Sequence, residues 1–267
     1  MKKWTTRALR KLKHNGPDVK GTISMLTCYD FQTAQMLNES DLDLILVGDS
    51  LGNVILGYEN TVSVTVNDMI TFGSAVKRGA PDKFTVVDMP FGSYATETLA
   101  IKNALKIFQD TKCEALKLEG VSTDILSSIK KLTIAGVPVM GHIGLTPQSV
   151  HQLGGYYTHG KTNHEAIKLI EQAKELEQAG VFSIVLECVT SEIAKEIDKS
   201  VSIPTIGIGS GKDTTGQVLV LNDLLGLGKK PAPSFCSPVS ALYKTKLKLT
   251  NEYINSIKLS HSSEIDH

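Results

Sequence analysis

The chain has 267 residues, 41% of them hydrophobic, and its 28 Lys and Arg balance its 28 Asp and Glu. That balance leaves no overall field to attract nucleic acid or an anionic membrane, so the expected partners are small molecules. No segment approaches the roughly 18 to 20 apolar residues of a membrane span, and the basic start MKKWTTRALRKLK lacks the apolar stretch of a secretory signal; a soluble, cytoplasmic protein is expected.

In chain order, Ile23 to Asp30 reads as a first strand, and LILVGD, ending at Asp49, as a second. Thr65 with Asp68 reads as a helix start, and Gly79-Ala80-Pro81 as its stop. Phe84 to Asp88 is the third strand, a helix follows over Glu97 to Asp110, and Ala115 to Glu119 is the fourth. Val137 to His142 is the fifth and opens GHIGLTPQS. Thr162 and Glu165 form an expected capping box for a long helix with Ala166, Ile170, Ala173 and Leu176 on one face and Gly180 as its cap. Phe182 to Glu187 is the sixth strand, IPTIGIG holds the seventh after a helix over Ser191 to Lys199, and Gln217 to Leu221 supplies the eighth.

Short runs of Val, Ile and Leu alternating with helices are the pattern of buried parallel strands. Eight of them predict a (β/α)8 TIM barrel, taken as one domain over 1–267 with a short N-terminal helix. From about Lys229 a proline-bearing extension leads to a helix near Ser240 to Lys258, expected to pack on the barrel, and to a polar tail, SHSSEIDH. Cys28, Cys113, Cys188 and Cys236 are scattered, which suggests neither a zinc site nor a disulfide framework.

Four of these strands stop on a carboxylate: Asp49, Asp88, Glu119 and Glu187. In a barrel the strand C-termini converge on one rim, so the four acids are expected to meet. Any one of them is as readily an N-cap for the next helix, but four together repel one another unless a cation compensates. Oxygen ligands without a His or Cys cluster point to Mg²⁺. Lys117 shares a strand face with Glu119 and points inward, where it needs an acidic neighbour or an anionic ligand. His142, on the same rim, is either a core histidine satisfied by backbone or a ligand. Gly207 to Gly211, GIGSG, either offers backbone N–H groups to an anion or simply lets the chain turn; it is neither a Walker A loop nor a dinucleotide fingerprint.

The segments VGDSLGNVILGYENTVSVT, KRGAP, VVDMPFGSYAT, ALKLEG, GVPVMGHIGLTPQSV, LGGY, IVLECV and IPTIGIGSG, in this order between about Met25 and Leu227, resemble the ketopantoate hydroxymethyltransferase family. The resemblance implies a barrel of the phosphoenolpyruvate/pyruvate-like superfamily. It implies transfer of the one-carbon unit of 5,10-methylenetetrahydrofolate to 3-methyl-2-oxobutanoate, giving 2-dehydropantoate on the way to pantothenate. Asp49, Asp88 and Glu119 match positions that face Mg²⁺, one ion per subunit; Ser50 and Lys117 match positions that hold the keto acid; His142 matches a residue lining the same pocket. Glu187 matches the proton-abstracting base. With the substrate's ketone polarised by the ion, Glu187 takes the proton of carbon 3, and the enolate carbon attacks the folate-bound methylene in its iminium form. The folate-contacting residues are not assigned.

Some positions depart from the family pattern: Thr215 stands where Asp is expected before GQ, Asn222 where His or a similar residue is common, Ser210 for a usual Ala, and His159 for a usual Gln. None touches the metal set, but they weaken expectations for folate contacts and for the loop after the seventh strand. The resemblance also implies a ring-like homo-oligomer such as a decamer. Two other readings stand beside it: a related Mg²⁺-dependent 2-oxo acid lyase or phosphonomutase-type barrel, and a catalytically silent ligand-binding barrel.

Overall fold

A computed structural model describes residues 3–14 and 22–262. The chain divides after Leu219 into two compact units. In the first, strands β1 (Ile23–Thr27), β2 (Leu44–Val47), β3 (Phe84–Asp88), β4 (Ala115–Glu119), β5 (Val139–Gly144), β6 (Ser183–Glu187), β7 (Thr205–Ile208) and β8 (Gly216–Leu219) close into a barrel in sequence order, every pair parallel. The helices are α1 (Thr6–His14), α2 (Phe31–Glu39), α3 (Leu51–Val54), α4 (Val66–Gly79), α5 (Glu97–Thr111) and α6 (Thr123–Ile134). A 3-10 turn, Pro147–Ser149, then leads into α7 (Val150–Leu153), α8 (Asn163–Ala179) and α9 (Ser191–Ser200). All eight expected strands are present, with boundaries shifted by up to three residues.

The barrel interior is graded along its axis. Its lower layers are apolar: Ile23, Met25, Leu44, Leu46, Phe84, Val86, Ala115, Met140, Val185, Ile206 and Val218 form one buried cluster. Phe84 and Phe182 meet edge to face, with ring centroids 5.7 Å apart. Helix α1 belongs to this cluster through Leu9, fully buried, with Trp4 and Leu12 packed alongside. Because alternate residues of a strand share a face, the stretch that puts Ala115 into this cluster also sends Lys117 and Glu119 inward, higher up. The strand register places Asp88 beside Lys117, Glu119 beside His142 and Gly144 beside Glu187.

Local sequence signals hold in most places. Thr65 and Asp68 form a full capping box on α4, Thr65 Oγ1 accepting from Asp68 N and Asp68 Oδ2 from Thr65 N. At α8 the expected box is half made: Thr162 accepts from Glu165 N, but the Glu165 carboxylate turns to Lys161 N instead. The buried stripe of α8 is Leu169, Ala173, Leu176 and Ala179, with Ala166 and Ile170 at its margin. Gly180 ends the helix at φ 99°, the left-handed conformation that favours glycine. Thr215, which precedes β8, hydrogen-bonds through N and Oγ1 to Asp198 Oδ1. It therefore lies at the strand's N-terminal end, opposite the rim where the acids gather.

The smaller unit contains α10 (Leu221–Leu224) and α11 (Leu242–Ser262), joined by a segment whose Val239 N and Tyr243 N donate to Leu224 O and Gly226 O. The expected terminal helix is thus present and runs four residues past Lys258. The final five residues of the polar tail lie outside the described ones. Among the described residues no helix is long and apolar enough to cross a membrane.

Candidate active site

The turn Gly48-Asp49-Ser50 carries the chain from β2 into α3 and folds over the end of β3, where Asp49 N donates to Asp88 Oδ2 at 3.0 Å. Asp49, Asp88, Lys117, Glu119 and His142 are all at least 95% buried. Lys117 Nζ stands 3.2 Å from Asp88 Oδ1 and 3.7 Å from Glu119 Oε1. His142 Nδ1 stands 3.2 Å from Glu119 Oε1, and its Nε2 is 3.3 Å from Glu187 Oε2. Glu187, at the end of β6, retains some exposure. The four acids that the sequence pattern placed on one rim are therefore brought together, with Lys117 and His142 between them.

The electrostatics are unbalanced. Burial, then Glu119 and Asp88, raise the Asp49 carboxyl well above the usual range, and burial raises Asp88 against the pull of Lys117. Glu119 goes the other way: burial raises it, but His142 and Lys117 bring it below the ordinary value. Burial and Lys117 push His142 down, yet Glu119 and Glu187 outweigh them and lift it to about 9, so the imidazole is cationic at neutral pH. Four carboxylates thus face two cationic side chains. The deficit falls on Asp49 and Asp88, whose raised values are those of acids short of positive charge.

A divalent cation fits that deficit, and the oxygen-only donors Asp49, Asp88 and Glu119 fit a hard ion such as Mg²⁺. Asp88 Oδ1 is buried with no hydrogen-bond donor in line with it, meeting only the off-axis Lys117 ammonium. As the side chains stand, no group of three His, Cys, Asp or Glu among the described residues is already in ligating geometry. Lys117 Nζ stands between Asp88 and Glu119, 3.2 Å from the one and 3.7 Å from the other.

Ser50 starts α3 without capping it; its Oγ instead lies 2.7 Å from the hydroxyl of Tyr29, a buried residue just past β1. Two further residues carry no signal in composition or periodicity. Gln148 donates through Nε2 to Asp49 Oδ2 and Met89 O, and its own N–H reaches Glu119 Oε2. Tyr94 OH donates to Gln148 Oε1. Both fall inside segments of the resemblance, GHIGLTPQS and VVDMPFGSY, and their place in the network follows only from the fold.

Beyond Glu187 the chain bends sharply. Cys188 adopts φ 50°, unusual for a residue with a side chain, and the bend is bridged by Ser210, which accepts from Val189 N at 3.0 Å and donates to Leu186 O at 2.8 Å. The GIGSG segment serves here as a turn, with Gly209 and Gly211 both at positive φ. His159 pairs with the same bend, its N–H donating to Cys188 O, and lines a cavity of about 290 Å³ with Gly120, Thr146, Tyr157 and Lys168. The cysteines are free, and burial pushes Cys28 and Cys113 up to about 12, so neither supplies a thiolate near neutral pH.

The closed eight-stranded parallel barrel resembles in fold solved proteins of the phosphoenolpyruvate mutase/isocitrate lyase superfamily. The crystal structure of 2,3-dimethylmalate lyase, a member of it, superposes with a TM-score of 0.60 at 13% identity, covering 95% of this chain and 87% of that one. That likeness concerns the fold. Sequence goes further: the chain matches the family model for ketopantoate hydroxymethyltransferase over residues 3–261 and belongs to that family. It is 50% identical over 240 residues to the 3-methyl-2-oxobutanoate hydroxymethyltransferase of Thermotoga sp. (strain RQ2), covering 90% of this chain and 88% of the relative. With that of Geobacillus sp. (strain WCH70) the identity is 48% over 246 residues, covering 92% and 88%.

Proposed function

We propose that this chain transfers the one-carbon unit of 5,10-methylenetetrahydrofolate to 3-methyl-2-oxobutanoate, giving 2-dehydropantoate for pantothenate synthesis. The observation that carries the reading is the buried cluster of Asp49, Asp88 and Glu119, short of positive charge, facing Glu187 across His142 in a chain of this family. Across the reaction, carbon 3 of the keto acid loses its proton and gains the methylene carbon. The two bonds of that carbon to folate nitrogens are replaced by one to carbon 3 and one to a water-derived hydroxyl.

Asp49, Asp88 and Glu119 would hold the cation. When bound, a divalent ion such as Mg²⁺ draws electron density from the 2-oxo group and makes the hydrogen on carbon 3 acidic. The chain's own groups do the rest. Glu187, at the end of a different strand from the three acids and the most exposed of the four, accepts that proton at a carboxylate oxygen. His142, cationic, lies between Glu187 and Glu119, its Nε2 3.3 Å from Glu187 Oε2 without a hydrogen bond to it, and supplies positive charge to both. Lys117 supplies positive charge for the substrate carboxylate, and Ser50, steadied by Tyr29, supplies a hydroxyl at the same rim.

Turnover of 3-methyl-2-oxobutanoate with methylenetetrahydrofolate, with and without EDTA, tests the whole reading. Product formation that requires both folate and a divalent ion is expected. Deuterium exchange at carbon 3 without any transfer would point to a different electrophile, and EDTA-resistant turnover would remove the metal.

A further inference from the structure

Gln148 is a neutral residue that touches two of the four carboxylates, Asp49 and Glu119, and its orientation is fixed from three sides. The Met89 carbonyl can only accept, so the side-chain atom 2.9 Å from it must be the amide nitrogen. The Tyr94 phenol, held protonated by burial and by the nearby Glu119 and Asp49, donates to the opposite end, Oε1. With both ends assigned, the second hydrogen on Nε2 points to Asp49 Oδ2 at 2.8 Å, and the residue's backbone N–H reaches Glu119 Oε2 at 3.2 Å. Gln148 is itself 4% exposed.

We infer that Gln148 is a positioning residue for the cation site: it ties one oxygen of Asp49 and one of Glu119 into the protein and so fixes the orientation of both carboxylates before an ion arrives, while Glu119 Oε1 faces His142 and Lys117. A fixed ligand loses less freedom on binding, and partners that orient ligands in this way typically contribute about 10- to 100-fold to metal affinity. The arrangement also sets a division of labour. The backbone contact to Glu119 does not involve the side chain at 148 and survives its replacement by any residue other than proline, whereas the contact to Asp49 depends on the amide and, through it, on Tyr94. The inference rests on the reading of Asp49, Asp88 and Glu119 as the cation's ligands.

The test uses Mn²⁺ alone as the probe, its free concentration followed by electron paramagnetic resonance, with the full chain and with Gln148→Met and Tyr94→Phe. The expected result is a Kd for Mn²⁺ raised by about 10- to 100-fold in Gln148→Met and by a smaller factor in Tyr94→Phe, where the amide remains but its carbonyl is no longer held. A residue that merely fills space would lower the melting temperature of the metal-free protein and leave the Mn²⁺ affinity of the folded fraction unchanged; that pattern would overturn the inference. If Gln148→Met fails to fold, Tyr94→Phe decides alone, with unchanged affinity counting against the inference. Failure of the wild-type chain to bind Mn²⁺ in a manner that Asp49→Asn abolishes would sink the ligand reading itself, an outcome distinct from equal binding by wild type and both variants.

Discussion

His142 on β5 reaches Glu187 on the neighbouring strand β6 by diagonal contact: its Nε2 lies 3.3 Å from Glu187 Oε2, while its Nδ1 faces Glu119. One imidazole therefore touches both an acid assigned to the cation and the acid assigned to the proton. The two tasks share a bridge yet sit on different strands, and that separation makes them experimentally separable.

Glu187→Gln keeps the size and hydrogen-bonding capacity of the side chain but cannot accept a proton. Exchange of the carbon-3 hydrogen is expected to fall by about 10² to 10⁴, the usual contribution of a positioned base. Mg²⁺-dependent binding of the keto acid is expected to survive, since Asp49, Asp88 and Glu119 are untouched. Proton exchange by nuclear magnetic resonance and keto acid binding by calorimetry check the two halves; loss of both together would mean that Glu187 helps to build the site.

The crowded acids give a prediction with a sign. Asp49 is raised by burial and by Glu119 and Asp88, so in the metal-free protein its ionised form is a burden, and Asn can still offer an oxygen to Gln148. Asp49→Asn is therefore expected to melt no lower than wild type without metal. Saturating Mg²⁺ at about 100 times Kd stabilises a binding protein by about 2.7 kcal/mol, and that shift is expected to vanish in the variant together with activity. Thermal unfolding with and without Mg²⁺ checks both; a variant that melts lower without metal and still responds to Mg²⁺ contradicts the assignment.

Much of this arrangement was legible in the sequence because buried parallel strands betray themselves as Val, Ile and Leu runs, and because charge at their ends stands out against them. Thr65 with Asp68 and Gly180 were equally visible, since caps are local chemistry. The misphased stripe on α8 has a physical cause: Ala173 and Leu176 belong to either face, and only the packing partners choose Leu169 over Ala166. Gln148, Tyr94 and Tyr29 were not legible as site residues. Neutral polar groups in loops leave no periodic or charge signature, and their roles arise from the strand register and from turns that bring Asp49, Met89 and the 3-10 turn together. Thr215 shows the converse, a departure from the family pattern that proves to lie at the barrel's other end.

Ser210 tests how much the bend after Glu187 depends on one hydroxyl. Ser210→Ala removes the acceptor for Val189 N and the donor to Leu186 O in a buried place, which is expected to cost about 1–3 kcal/mol in stability. The bend keeps its backbone bonds, Cys188 N to Ile208 O and His159 N to Cys188 O. Activity is accordingly expected to change by less than the tenfold that about 1.4 kcal/mol at the transition state would represent. A larger loss of kcat with unchanged melting temperature would show that the hydroxyl acts on Glu187 rather than on the fold.

Leu9 offers the opposite dissociation, stability without chemistry. Its side chain is 1% exposed and joins α1 to the barrel's apolar layers, on the far side of those layers from the acids. Leu9→Ala leaves a cavity in the apolar cluster that Leu9 shares with the barrel strands, with an expected cost of about 2–5 kcal/mol and a corresponding fall in melting temperature. Because Asp88, Lys117, Glu119, His142 and Glu187 are fixed by strand register rather than by the helix, kcat of the folded enzyme below that lowered melting temperature is expected to match wild type. Parallel denaturation and rate measurements check this; a fall in kcat at temperatures where the variant is fully folded would mean that the lower packing layers set the geometry of the rim.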